Sequence, residues 1–320
     1  MWPLLFATLS DASHLLHNLL KSDPGRRWAG VFWSISNPAT RPSHHTESLF
    51  PVFAGLGWIH MIEPSSPEDV DHAVVEAARR GLSTTVMALL KRPEYRDFTS
   101  NLLKAIQAAA SGSHEAPALQ LLDRFDIGDF KWPPALMYRA AWLDMSSLVE
   151  RLLQMGFPPE PGGPFQEEHR IVPLRTVAET DSLDAMLALI DHGADIDYRG
   201  IAGRGVLHYC VTIPRQRTAR ALVARRPDLL EAQDKHGETP ILYAVWWGIY
   251  GTVQCLLDLG ADPAIMASSP SANWQEIQTP LFDASRLGLL KCVRILLRHH
   301  VDPDTIREGN LANPLAVAAA

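Results

Sequence analysis

The residues able to do chemistry are scattered along this chain rather than gathered. Thirteen histidines include His14 and His17, three apart, and the adjacent pairs His44-His45 and His299-His300. Imidazole ligates zinc, but such a site needs about four ligands converging in space. Cys292 lies within two helical turns of His299 and His300, and no fourth ligand stands beside them. The histidines therefore read as surface or helix-end residues, and no metal is expected. Cys210, Cys255 and Cys292 are far apart and form no C-x-x-C. That usage argues against a disulfide framework and suits a reducing, intracellular compartment, cytoplasmic or nuclear. Small buried hydrophobes are the expected role of these thiols. Gly55-Leu56-Gly57 begins a G-x-G without the third glycine of a phosphate-cradling loop. Walker A, H-E-x-x-H and G-x-S-x-G are absent. No catalytic residue and no cofactor are expected, so the chain does not read as an enzyme.

Charge narrows the partners. The net charge is −7 and the pI about 6.0, with arginine pairs only as isolated dipeptides. A protein that grips a phosphate backbone shows a basic field, so nucleic acid is not the expected partner. No apolar run approaches the roughly 18 residues of a membrane span. Met1–Phe6 is apolar but lacks the basic start of a signal peptide. A length of 320 residues exceeds one ordinary core and predicts two domains or a repeat array.

What remains are large side chains suited to gripping a protein. Trp246-Trp247, Trp142-Leu143, Arg79-Arg80 and Arg286-Leu287 each follow an alanine-led pair: Ala244-Val245, Ala140-Ala141, Ala77-Ala78 and Ala284-Ser285. Tryptophan and arginine are enriched among the residues that dominate interface energies. A common offset from alanine implies that one repeated element positions all of them.

That element is visible. Thr239-Pro240-Ile241-Leu242-Tyr243-Ala244 returns as Thr279-Pro280-Leu281-Phe282-Asp283-Ala284, and more loosely at Val172, Gly205 and Asn313. The spacings between these starts are 33, 34, 40 and 34 residues. Downstream of Thr239, Val253, Leu256, Leu257 and Gly260 stand at i, i+3, i+4 and i+7, one stripe of a second helix. The stripe recurs as Met186, Leu189, Ile190, Gly193 and as Val149, Leu152, Leu153, Gly156. Further upstream, Leu89-Leu90 and Leu121-Leu122 imply starts near His72 and Lys104. Trp2-Pro3-Leu4 opens another unit, and partial units begin near residues 49 and 313. Proline at the first helical position, threonine before it and glycine where the second helix stops are helix-boundary chemistry. His300 and Arg226 replace that glycine in two units. Insertions fall around Pro158–Pro164 and Ser268–Trp274, and residues 22–47 read as loop.

The T-P-L-H-x-A-like openings and the Gly260-Ala261-Asp262 and Gly193-Ala194-Asp195 closes resemble the ankyrin repeat. The resemblance implies an all-α solenoid of about eight stacked helix-turn-helix units, with degenerate units over 1–71 and the array proper over 72–320. It gives His208 a structural role, hydrogen bonding between loops. It turns the two places after the alanine pair toward a concave groove, making Trp142, Leu143, Trp246, Trp247, Arg79, Arg80 and Arg286 the expected protein-binding residues. The opposing reading has these rings filling space against the neighbouring hairpin. The implied function is a monomeric interaction module or adaptor for another protein. The alternative is the targeting or regulatory part of a larger enzyme, or of a ubiquitin-ligase-type adaptor.

Overall fold

The computed structural model describes residues 66–93, 99–124, 134–160, 172–212, 214, 216–265, 267–268 and 277–301, with a few positions between 51 and 64. The units expected at Trp2 and Asn313, and the loop 22–47, lie outside the described residues. The chain divides into two compact units, 1–131 and 132–320.

In the first unit, α1 (Pro67–Arg79) pairs with α2 (Ser83–Leu89), and α3 (Thr99–Ser111) with α4 (Glu115–Leu122). The first helices α1 and α3 pack together, as do the second helices α2 and α4. Both first helices run 13 residues and begin well before the starts expected near His72 and Lys104. For α1 the reason is local. Ser66 accepts a hydrogen bond from the Asp69 amide while the Asp69 carboxylate accepts from the Ser66 amide, and Pro67 occupies the first turn.

Among the described residues the second unit repeats the pair five times: α5 (Pro134–Trp142) with α6 (Ser146–Gln154), α7 (Pro173–Thr180) with α8 (Leu183–Asp191), α9 (Val206–Cys210) with α10 (Arg217–Arg225), α11 (Pro240–Trp246) with α12 (Tyr250–Asp258), and α13 (Pro280–Arg286) with α14 (Leu290–Arg298). First helices stack on first helices throughout. The alanine places allow this close approach: Ala140, Ala244 and Ala284 are fully buried, as are Val177 and Cys210 standing in for alanine. The second-helix stripes fill the space between, with Val149, Leu152, Met186, Leu189, Val253 and Leu256 all buried. The 40-residue interval is accommodated by a two-residue ribbon, β1 (Ala267–Ser268) antiparallel to β2 (Ile277–Gln278). The rest of that insertion lies outside the described residues.

Helix ends follow the expected chemistry with two corrections. Gly156, Gly193 and Gly260 take φ of +83°, +89° and +101°, and His300 adopts +63° in their place. Arg226 instead turns extended at φ −141°, and Pro227 starts a 3-10 turn (Pro227–Glu231). Thr279 caps its helix by accepting from the Phe282 amide, whereas the Thr239 hydroxyl is buried and finds no partner among the described residues. The expected cap at Thr239 is therefore absent, and its helix begins on Pro240 and extended backbone alone.

Links between repeats are polar and specific. His208 Nδ1 accepts from the Gly205 amide, so its Nε2–H donates to the Glu238 carbonyl one repeat onward. Burial holds His208 below its ordinary pKa and keeps it neutral. Asp181 Oδ1 accepts from both the amide and the hydroxyl of Thr218, 37 residues away, at 2.9 and 2.8 Å. Glu231 accepts from the Asp262 amide at 2.8 Å, so a carboxylate of one hairpin holds the Gly-Ala-Asp close of the next unit.

Candidate protein-binding surface

Each candidate residue sits at the C-terminal end of a first helix, just before the turn into the second. The turn fixes their aim. Four residues past the alanine place, the backbone goes left-handed at Gly81, Ser113, Asp144, Asp181, Gly248 and Gly288. In the unit that carries Cys210, Pro214 occupies this place, where its ring forbids a positive φ.

The tryptophans face outward. Trp142, Trp246 and Trp247 are 59%, 51% and 60% exposed. Adjacent residues on one helix point in different directions, so two exposed neighbours place them at a helix end that the described residues leave open. Trp247 meets the Tyr243 ring edge-on at 6.2 Å, and Tyr243 lies under the Arg204 guanidinium at 4.5 Å. Leu143 is half-buried, and Leu287 is exposed beside Arg286.

The arginines are placed differently. Glu76 is 2% exposed, three and four residues before Arg79 and Arg80, and their guanidinium groups stand 3.7 and 2.7 Å from its carboxylate. Arg286 makes the same arrangement with the fully buried Asp283 at 3.0 Å. A buried carboxylate demands a charge partner, so these arginines carry a structural duty. The Glu76/Arg79/Arg80 and Asp283/Arg286 spacings were available as the signal for it.

The other sequence candidates resolve into packing. A side chain on Gly55 would fall 2.8 Å from the Glu76 Cγ, so close approach accounts for the glycine. All three cysteines are buried free thiols, and burial pushes Cys210 up to about 12. His299 contacts Gln254 at 3.0 Å and Asp258 at 3.9 Å. Among the described residues, no cluster of histidine, cysteine and carboxylate groups could hold a metal ion, and no helix is long and apolar enough to cross a membrane. His14, His17, His44 and His45 lie outside the described residues.

Comparison with known proteins accords with this geometry. Residues 174–267 match the family model for ankyrin repeats in three copies, and residues 277–307 match that for a single ankyrin repeat. Residues 174–267 and 277–307 thus carry ankyrin repeats, and the fold is of the all-α class, built from helix-turn-helix units. No curated protein matches the sequence. Among solved structures, the ankyrin repeat domain of Bcl-3, described as a unique member of the IkappaB protein family, is similar with a TM-score of 0.49 at 25% identity, over 68% of this chain and 91% of that one. Ankyrin repeats generally mediate protein–protein interaction.

Proposed function

We propose that this chain is an interaction module or adaptor that binds a partner protein through the concave groove and hairpin tips of its array. Trp142, Leu143, Trp246 and Trp247 act as anchors, and Arg79, Arg80 and Arg286, while paired with buried carboxylates, offer their exposed edges as further contacts. The observation that carries this reading is the exposure of three tryptophans at the two places that follow the alanine pair in two units. Large exposed apolar surface on a folded domain marks an interaction site. Aromatic anchors bury much area at little entropic cost, having two side-chain torsions each. In this reading residues 1–71 are degenerate units and 72–320 the regular array, ending in a partial repeat. The buried free thiols support an intracellular setting, in the cytoplasm or the nucleus.

The test is affinity capture from native lysate with wild type and a Trp246→Ala/Trp247→Ala variant. Removing a hot-spot aromatic costs about 2 kcal/mol, roughly a thirty-fold weaker complex. Capture is expected to fail in the variant while its melting temperature stays near that of wild type. Unfolding of the variant would show that the rings are core. A folded variant that keeps its partner would move the contact surface to the inserted edges near Pro158–Pro164 and Ser268–Trp274.

A further inference from the structure

Around the last two described helix pairs, exposed apolar side chains and cations share one edge. Trp246, Trp247 and Tyr250 flank the turn between α11 and α12, and Leu287 and Leu290 flank the equivalent turn between α13 and α14. All five are exposed, Leu290 by 76%. The two turns touch. A side chain built on Gly248 would lie 3.3 Å from Leu289, and the Lys291 ammonium sits 4.4 Å from the Tyr250 ring. On the other side of α12, a side chain on Gly251 would lie 3.4 Å from Gln216, the residue before Arg217.

The charge on these helices opposes that of the whole chain. Helices α10 to α14 contain seven arginines and lysines against Asp258 and Asp283, a net of 7 − 2 = +5, within a chain of −7. In the first halves of α10, α12 and α14 stand Arg217, Arg220, Lys291 and Arg294, with no acidic residue. Among the described residues Arg217, Arg220 and Arg294 form no ion pair. Cations at a helix N-terminus oppose the helix dipole, where an arriving carboxylate is favoured. The hairpin stretch 226–239 carries the opposite balance, with Asp228, Glu231, Asp234 and Glu238 against Arg226 and Lys235. An anionic segment is steered off the hairpin edge and onto the turn edge, since complementary fields set orientation and encounter rate.

We propose that the partner segment is an acidic peptide carrying large apolar side chains, docked on the turn edge of α11 to α14. Its carboxylates meet Arg217, Arg220, Lys291 and Arg294, and its apolar side chains meet Trp246, Trp247, Tyr250 and Leu290. This rests on the binding role and the tryptophan anchors proposed above, adds the chemistry of the partner, and places this segment on the turn edge and not on the hairpin tips.

The experiment is selection from a random peptide library on the full 320-residue chain, followed by affinity measurement on the selected peptides. Anionic phosphatidylserine vesicles and a single-stranded poly(U) RNA serve as comparison ligands. Supporting results are selected peptides rich in Asp or Glu together with Leu, Phe or Trp. Their affinity should fall roughly tenfold or more in high salt, as screening predicts. It should be lost in Arg217→Glu/Lys291→Glu/Arg294→Glu, and separately in Trp246→Ala/Trp247→Ala. Neutral or basic peptides that still need Trp246 and Trp247 would overturn this inference while leaving the binding role standing. Failure to select any peptide, or peptides indifferent to the tryptophan variant, would overturn both. Charge-reversal effects confined to the vesicles or the RNA would overturn the acidic-peptide assignment.

Discussion

The two places after the buried alanine carry opposite chemistry in α1 and α11. In α1 they hold Arg79 and Arg80, both drawn onto the buried Glu76. In α11 they hold Trp246 and Trp247, which stand exposed above Tyr243, the residue at the place of Glu76. The difference lies one residue before the alanine. A carboxylate there is taken out of water and needs cations, so the arginines after it serve the fold. An aromatic there needs no charge, and the residues after it stay available to a partner. The pair Asp283 and Arg286 in α13 follows the rule of α1, with Leu287 left exposed beside it.

The sharpest way to break this comparison is to remove the cations of α1. Arg79→Ala with Arg80→Ala removes two cations from a buried carboxylate, and the expected loss is up to about 3 kcal/mol in denaturant unfolding. Adding Glu76→Gln should restore much of it. Trp246→Ala with Trp247→Ala, by contrast, should cost about 1 kcal/mol or less, most of it the edge contact with Tyr243. Equal destabilisation by the two double variants would erase the distinction. An effect between these two is expected at the helix stop. Gly260 stands at φ +101° with open space beside it, so Gly260→Val meets backbone strain alone. Its unfolding free energy should drop by about 1–2 kcal/mol.

His300 uses the same region of backbone without the freedom of glycine, at φ +63°. His300→Gly should raise stability by roughly 0.5–1 kcal/mol, read from the melting temperature. The smallest effect is a pH dependence. Burial holds the folded pKa of His208 below its ordinary 6.5, so the unfolded chain takes up this proton more readily. Its contribution is complete above about 6.5 and is lost as pH falls below that value. His208→Gln should flatten that part of the stability profile, and an unchanged slope would mean that other groups set it.

Much of this molecule was legible because its signals are local. Leu-Leu pairs at helical spacing, alanine at the crowded place and glycine at the stop each answer to the backbone within one unit. The starts of α1 and α3 were not legible from that pattern. The core stripe marks only where each helix is buried, and the Ser66–Asp69 cap carries α1 beyond it. The missing Thr239 cap has the same character: residue type allows a hydrogen bond, and only side-chain placement makes one.

By itself the sequence determined the helix pairs, their stops and the row of places after each alanine, since period and residue type set these without reference to distant parts of the chain. Only the tertiary structure decided which of those places also serve the fold. Arg80 has such a duty and Trp247 does not, because of a buried neighbour's need for charge. The lock of Asp181 onto Thr218 likewise depends on two repeats meeting at hydrogen-bonding distance. Desolvation and contact geometry act between segments, and no offset along the chain encodes them.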